Sequence, residues 1–110
     1  MKTQNINSQN YLVDQQLTDF TIFQKVSSNV DFFGTDHLNK KLFVQFKGGT
    51  GAHIYSEVPV KILTWAENAE SIGKFISSEV VGIFPSAKTE VRLVKPVTIG
   101  QTINTEESTF

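Results

Sequence analysis

Residues 42–56 carry the pattern that most restricts how this chain can fold. LFVQFK (42–47) alternates in side-chain character with the period of two that a β-strand imposes. GGTG (48–51) is typical of a tight hairpin turn, because glycine adopts positive φ without strain. AHIYS (52–56) has the composition of a return strand. The segment therefore predicts an antiparallel β-hairpin.

The alternation also predicts which side chains share a face of this hairpin. We expect one face to combine Phe43, Gln45 and Lys47 of the first strand with His53 and Tyr55 of the second. Three rings beside one ammonium form a surface on which a base can stack while the cation holds phosphate. The alternative is that helices or a second subunit cover this face and that it is core. Burial statistics favour core for Phe43, whereas His53 and Tyr55 carry polar tips that leave both interpretations open.

Two helices are predicted after the hairpin. Pro59 opens the first, since proline suits a first helical turn where its missing N–H has no partner. The apolar stripe that follows consists of Ile62, Leu63, Ala66 and Ala69. The second helix has apolar residues at similar spacing and ends at Pro85; they are Ile72, Phe75, Ile76, Val80, Ile83 and Phe84.

The segment NAESIGKF (68–75) interrupts the helical pattern and marks the boundary between the two helices. Ser71 is a favourable N-cap, and Gly73, which costs about 1 kcal/mol relative to Ala inside a helix, costs less in a first turn. A helix beginning here presents free backbone N–H groups and its positive dipole end beside Lys74. We expect either an anion-binding helix N-terminus, or a capped helix in which Gly73 packs closely against Trp65 or the hairpin.

The flanking segments complete the expected architecture. Residues 20–26 and 30–33 predict strands, with an SSN turn between them, and GTDHLNKK (34–41) is a turn by composition. Residues 91–99 alternate again, and Pro96 restricts them to an edge strand or an arm.

The fold class is therefore α+β: a small antiparallel β-meander of about three to five strands followed by two helices, with a C-terminal edge strand or arm. Residues 1–19 are polar and predict a mobile N-terminal leader. Residues 20–88 form the α+β domain, and residues 89–110 form the C-terminal strand or arm and a frayed tail.

Composition excludes several classes of protein. The 110 residues are the length of one domain, and the absence of cysteine excludes disulfides, thiolate metal sites and cysteine nucleophiles. Ten basic and eleven acidic residues give a formal charge of −1 with a single arginine, Arg92, so a basic duplex-binding surface is not expected. No apolar run approaches the roughly 20 residues of a membrane span, and no secretory signal is visible, so we expect a cytoplasmic protein.

No catalytic or metal-binding constellation is visible in the sequence. The histidines are His37 and His53, and the motifs HExxH, GxSxG and GxxxxGK(S/T) are absent. GGTG joins strand to strand, whereas a phosphate loop leads from a strand into a helix. Three or four convergent metal ligands cannot be assembled from the sequence. We therefore expect no enzymatic activity, no cofactor and no metal.

The order of these signals resembles the KTSC family, a short domain that occurs at the end of some lysyl-tRNA synthetases and as small stand-alone proteins. KVSSNVDFFGTD is similar to the family's opening V-S-S-x-I and the Gly-centred turn after it. KLFVQFKGGTGAHIYSEVP is similar to its hairpin leading into Val-Pro, and NAESIGKF to its A-x-S-x-G-x-Y/F segment. The resemblance covers about residues 24–86. It implies a small antiparallel sheet followed by two helices.

One departure from the family pattern lies in the hairpin. The family's centre is typically Tyr-x-Tyr, whereas this chain has His53-Ile54-Tyr55, so a ring that titrates near neutral pH replaces one tyrosine. The family's function is not settled. RNA binding is suggested for it, chiefly from the synthetase association, and the resemblance thus implies RNA as one partner.

The leading functional hypothesis is a non-catalytic binding module for a nucleotide or another phosphate-bearing small ligand. His53 and Tyr55 stack on or hydrogen-bond the base, and Arg92 with the start of the second helix holds phosphate. The candidate ligand-binding residues are His53, Tyr55, Ser71, Gly73, Lys74, Phe75, Arg92, Phe43 and Lys47. Such a module in a bacterial cell acts by sequestration. A phage-encoded protein that sequesters a nucleotide immune signal of its host, such as a cyclic nucleotide or an ADP-ribose derivative, would fit.

Two alternatives stay open. A single-stranded RNA-binding domain predicts strongly salt-dependent binding. A protein-interaction or assembly module predicts that residues 91–99 add a strand to a neighbouring subunit. A homo-oligomer is expected under each hypothesis, since two helices on a few-stranded sheet leave one sheet face to cover.

Overall fold

The computed structural model describes residues 2–97, and these residues form two antiparallel sheets and two α-helices. The strands are β1 Lys2–Ile6, β2 Gln9–Val13, β3 Thr21–Phe23, β4 Val30–Asp36, β5 Lys41–Phe46, β6 His53–Tyr55, β7 Ser86–Lys88 and β8 Val94–Pro96. The helices are α1 Val60–Asn68 and α2 Ile72–Glu79, and a short 3-10 helix spans Gln15–Leu17.

The larger sheet is an antiparallel meander with the strand order β3-β4-β5-β6-β7. Both helices lie between β6 and β7 in the chain. The predicted α+β class is therefore confirmed. The predicted turn at 34–41 is too long, because Gly34, Thr35 and Asp36 continue β4 and pair with β5. The turn itself comprises residues 37–40.

The two helices cover one face of the five-stranded sheet. Their apolar side chains, among them Ile62, Leu63, Ala66, Ile72 and Ile76, are buried in one core with side chains of β4, β5 and β6. Burial of apolar side chains in such a core is the main source of stability in a small domain.

The helix boundary at NAESIGKF is as the sequence predicts. Ala69 ends α1 in an extended conformation, and Ser71 is the N-cap of α2, where its side chain accepts the Lys74 N–H. The second helix is shorter than the apolar pattern predicts, because Val80 leaves helical geometry and Gly82 adopts a φ of 79°. The helix therefore ends at Glu79, well before Pro85.

A three-stranded sheet built from both ends of the chain covers the other face of the meander. It has the order β1-β2-β8, and the expected C-terminal edge strand is therefore present as β8. The face of the meander that bears Phe32 and Phe43 packs against this sheet in a second core. The other buried members of this core include Ile6, Tyr11, Val13, Leu17, Leu93 and Val94.

Residues 1–19, which the composition predicts to be a mobile leader, thus differ from that expectation over the described part. Residues 2–13 form a hairpin whose two-residue turn places Asn7 at φ 52° and Ser8 at φ 70°. Asn tolerates this left-handed conformation better than most residues. The few apolar side chains of the segment are buried, and this burial orders a mostly polar strand pair.

The reason for expecting a homo-oligomer does not apply to this fold, since the chain covers both faces of its own five-stranded sheet. Oligomerisation itself stays a prediction. The predicted tail 101–110 and the end of the 91–99 segment lie outside the described residues. Within residues 2–97, neither helix is long and apolar enough to cross a membrane.

Candidate functional site

A polar cleft of about 540 Å³ lies between the β3–β4 loop and the first turns of α2. We call it the serine cleft. Ser27, Ser28 and Asn29 form one wall, and Ser71, Gly73, Lys74, Ser77 and Ser78 form the other. A volume of this size is within the usual range for small-molecule sites. Here the two polar segments that resemble the family's first and last motifs come together.

The first wall is an ordered turn built around Ser27. Its hydroxyl oxygen accepts the backbone N–H groups of Asn29 and Val30 at 3.3 and 3.0 Å and donates to the Asn29 side-chain oxygen at 3.1 Å. Serine hydroxyls commonly stabilise turns in this way. These bonds fix the conformation of the loop at Ser27, while Ser28 and Asn29 are exposed to solvent.

Gly73 permits the close contact between the two walls. A Cβ placed on Gly73 would lie 2.2 Å from the Asn29 side-chain oxygen and 3.3 Å from Ser27 Oγ. Close packing is therefore one role of this glycine, but its neighbours are Asn29 and Ser27, not Trp65 or the β5–β6 hairpin. Trp65 is instead half exposed on α1.

The start of α2 gives the serine cleft a positive electrostatic character. Ser71 Oγ accepts the Lys74 N–H at 3.4 Å, whereas the N–H groups of Ile72 and Gly73 have no partner within the helix. Lys74 is exposed and forms no salt bridge among residues 2–97. A helix N-terminus beside a free ammonium favours an anionic group.

The prediction of one aromatic surface on the β5–β6 hairpin is wrong, because the residues assigned to it lie on two opposite faces. Tyr55 pairs with Leu42 and His53 pairs with Val44, so both rings lie on the helix-covered face. Phe43 pairs with Ile54 on the opposite face and is fully buried, as is Gln45. Cross-strand partners share a face, and the sequence alone does not set the register across the GGTG loop.

His53 and Tyr55 nevertheless remain neighbours. Their rings are nearly parallel with centroids 6.2 Å apart, and the Phe46 ring meets His53 edge-on at 5.7 Å. Tyr55 is buried, which raises the pKa of its hydroxyl and removes its ring from any ligand. His53 is partly exposed, and its pKa is lowered by burial and, less strongly, by the Lys88 ammonium. Phe75 is partly buried against the helix-side core.

We expect His53 to make stability depend on pH. Because its folded-state pKa lies below the unfolded value of 6.5, the unfolded chain binds more protons in the window below pH 6.5. Its stabilising contribution is complete above pH 6.5 and declines as the pH falls through the lower folded value. NMR titration of the imidazole should give a pKa below 6.5 that rises in Lys88→Gln but not in Lys95→Gln. A value at or above 6.5 would contradict this.

Arg92 has a structural role in the described part of the chain. Its guanidinium donates to the backbone oxygens of Phe46 and Gly49 at 3.0 and 2.6 Å and to the Asp31 carboxylate at 2.5 Å. Asp31 is the extra residue of a β-bulge in β4, which directs its side chain toward Arg92. The guanidinium of Arg92, which the sequence suggests as a phosphate ligand, therefore forms hydrogen bonds with groups of the protein.

The structure therefore brings Ser71, Gly73 and Lys74 together in the serine cleft and places Lys47 next to it, where its ammonium donates to the Ser27 carbonyl oxygen at 2.6 Å. The sequence interpretation missed the other wall, residues 27–29, although the V-S-S similarity pointed to that loop. It also missed Ser77 and Ser78, whose helical spacing from Lys74 could have identified them.

A second polar cluster joins the β4–β5 turn to α1. One carboxylate oxygen of Glu67 accepts the Thr35 hydroxyl at 2.6 Å and lies 2.8 Å from His37 Nε2. Among residues 2–97, no group of three or more His, Asp or Glu side chains is arranged to hold a metal ion.

The fold and the cleft define a small α+β domain that carries a polar, ligand-sized cleft at a helix N-terminus. A scan against protein-family models finds no match, and neither does a search of curated proteins. Among solved structures, the crystal structure of a KTSC domain protein from Yersinia pestis matches with a TM-score of 0.59 and 27% sequence identity. The match covers 64% of this chain and 97% of that one. This chain has a KTSC-like fold, as its sequence motifs predict.

Proposed function

We propose that this protein is a non-catalytic module that binds a phosphate-bearing small ligand, such as a nucleotide, in the serine cleft. The observation that carries the proposal is the convergence of two distant polar segments on the N-terminus of α2 beside Lys74. Hydroxyl groups, helix amides and an ammonium are the donors with which proteins hold phosphate.

The chemistry of the cleft supports binding rather than turnover. Its lining contains five serines, but no histidine or carboxylate that could serve as their base. A ligand held there would be bound unchanged. We infer that the protein acts by sequestering its ligand, and a cyclic nucleotide or an ADP-ribose derivative that signals in a bacterial cell is the class we propose.

We assign the binding to a revised set of residues. Ser71, Gly73 and Lys74 stay in the proposed site, and Ser27 and Asn29 join it. The site excludes the rings of Phe43 and Tyr55, because both are buried in the two cores.

Calorimetry with the full chain tests this proposal. Titration with a panel of cyclic nucleotides and ADP-ribose derivatives should give saturable binding for at least one compound. Lys74→Met should weaken that binding by about tenfold, because one charge-assisted hydrogen bond is lost. Lys41→Met removes the same charge from an exposed position away from the cleft and should leave the affinity unchanged.

Two results would count against the proposal. Flat titrations with every compound of the panel would remove nucleotide binding altogether. Saturable binding that Lys74→Met and Lys41→Met affect equally would place the ligand outside the serine cleft.

A further inference from the structure

A second cleft, of about 300 Å³, adjoins the serine cleft. We call it the lysine cleft. Its walls include Asn7 of the N-terminal hairpin turn, Lys25 and Ser27 of the β3–β4 loop, Asp31 of the bulge, and Lys47. It therefore lies where the three-stranded sheet meets the five-stranded sheet.

The lysine cleft has an excess of positive charge in a chain whose formal charge is −1. The Lys47 ammonium donates to the Ser27 carbonyl oxygen, and the Lys25 ammonium donates to the backbone oxygens of Glu67 and Ala69 at 2.6 and 3.1 Å. An ammonium has three donors, so Lys47, which makes one hydrogen bond among the described residues, has the capacity to hold a ligand as well. The only carboxylate among the lining residues, that of Asp31, is bound by Arg92.

Ser27 separates the two clefts and lines both of them. Its carbonyl oxygen meets the Lys47 ammonium on one side, and its hydroxyl group faces the Gly73 position on the other. One residue thus stands between an ammonium and the first turn of α2. The two clefts are therefore adjacent at Ser27.

We propose that the ligand carries two separate anionic groups, one at the start of α2 and one in the lysine cleft. This inference rests on the proposed function and adds the class of ligand, a small molecule with two phosphate groups. Engaging both sites with one molecule raises affinity over either contact alone, because the second contact forms within the complex.

Asn7 gives the lysine cleft a wall that the KTSC resemblance at residues 24–86 does not include. Its side-chain amide donates to the Gln24 carbonyl oxygen at 2.8 Å, which holds the N-terminal turn beside Lys25 at the wall of the cleft. The choice of ligand would thus depend on a part of this chain outside the region of the resemblance.

Two probes that differ by one phosphate group test the inference. The ¹⁵N-labelled full chain is titrated with adenosine 5′-monophosphate and with adenosine 3′,5′-bisphosphate, and amide shifts are followed by NMR. Both probes should shift the amides of Ser71, Gly73 and Lys74. The bisphosphate alone should also shift those of Asn7 and Lys47, and it should bind about tenfold more tightly.

Variants assign the second contact. Lys47→Met should reduce the tenfold preference for the bisphosphate to about one, while Lys41→Met should preserve it. Asn7→Gly, which keeps the left-handed turn conformation, should reduce the preference without unfolding the hairpin. The spectrum of each free variant reports whether its fold is intact.

The outcomes separate this inference from the proposed function. Shifts at Ser71, Gly73 and Lys74 with both probes and equal affinities would overturn the second site and leave the first. Shifts at none of these amides with either probe would overturn both. A bisphosphate preference that Lys47→Met leaves unchanged would overturn the placement in the lysine cleft.

Discussion

Replacing Gln45 with leucine should lower the free energy of unfolding by about 4 kcal/mol, because the substitution leaves buried backbone groups without partners. Gln45 is fully buried in β5, and its side chain links the five-stranded sheet to the start of β8. Its oxygen accepts the N–H groups of Leu93 and Val94 at 2.9 and 3.1 Å, and its amide donates to the Val94 oxygen at 2.9 Å.

Leucine has nearly the same volume but offers no hydrogen bond to these three groups. Stranding a buried donor or acceptor costs about 1–3 kcal/mol each, and a small domain has only about 5–15 kcal/mol of stability in total. Urea denaturation followed by circular dichroism measures the loss. Gln16→Leu, at an exposed position, is the control and should change stability by no more than about 0.5 kcal/mol. Equal stabilities of the two variants would contradict the proposed link.

Replacing Gly51 with alanine should lower the free energy of unfolding by about 3 kcal/mol through a steric clash. A Cβ on Gly51 would lie 1.9 Å from the backbone oxygen of Thr89. That oxygen cannot rotate away as a side chain would. The backbone of Thr89 is fixed by two hydrogen bonds to Ala52, since its N–H donates to the Ala52 oxygen at 2.8 Å and its hydroxyl oxygen accepts the Ala52 N–H at 2.9 Å.

The same loop provides a matched control for this prediction. A Cβ on Gly49 would be 3.5 Å from its nearest neighbour, which is ordinary van der Waals contact. Gly49→Ala should therefore be close to neutral, whereas Gly51→Ala should unfold at a clearly lower urea concentration. Similar urea midpoints for the two variants would show that the Thr89 backbone oxygen lies farther from Gly51 than in this structure.

The hairpin shows which features the sequence could predict. Its strands begin and end within one or two residues of their predicted bounds, because side-chain alternation and glycine content are local signals. The pairing of Leu42 with Tyr55 is set by the path of the GGTG loop, which has no such signal. A shift of one residue exchanges the faces, so the predicted clustering of Phe43 with His53 was wrong.

The terminal segments show the limit of composition as evidence. Residues 1–19 are mostly polar, and what orders the described part of them is contact with residues distant in sequence, such as Leu93 and Phe32. Arg92 is a similar case, since its partners Asp31, Phe46 and Gly49 come from other strands and loops. Long-range contacts of this kind leave no periodic pattern in one sequence.

The helix start at Ser71 could be predicted because capping is a local property of the chain. What the sequence interpretation lacked was the other wall of the serine cleft, which lies more than forty residues away at Ser27–Asn29. The sequence predicted Lys74 only as a cation beside a helix N-terminus. In the structure it lines a cleft that has two walls.

Native mass spectrometry of the protein, purified without denaturation and then incubated with a bacterial small-molecule extract, tests ligand binding in the serine cleft most directly. We predict one discrete mass increase per chain from a small phosphate-bearing molecule, absent in Lys74→Glu and retained in Lys41→Glu. A spectrum of unliganded chains for the unmodified protein, or a mass increase that persists in Lys74→Glu, would contradict the account.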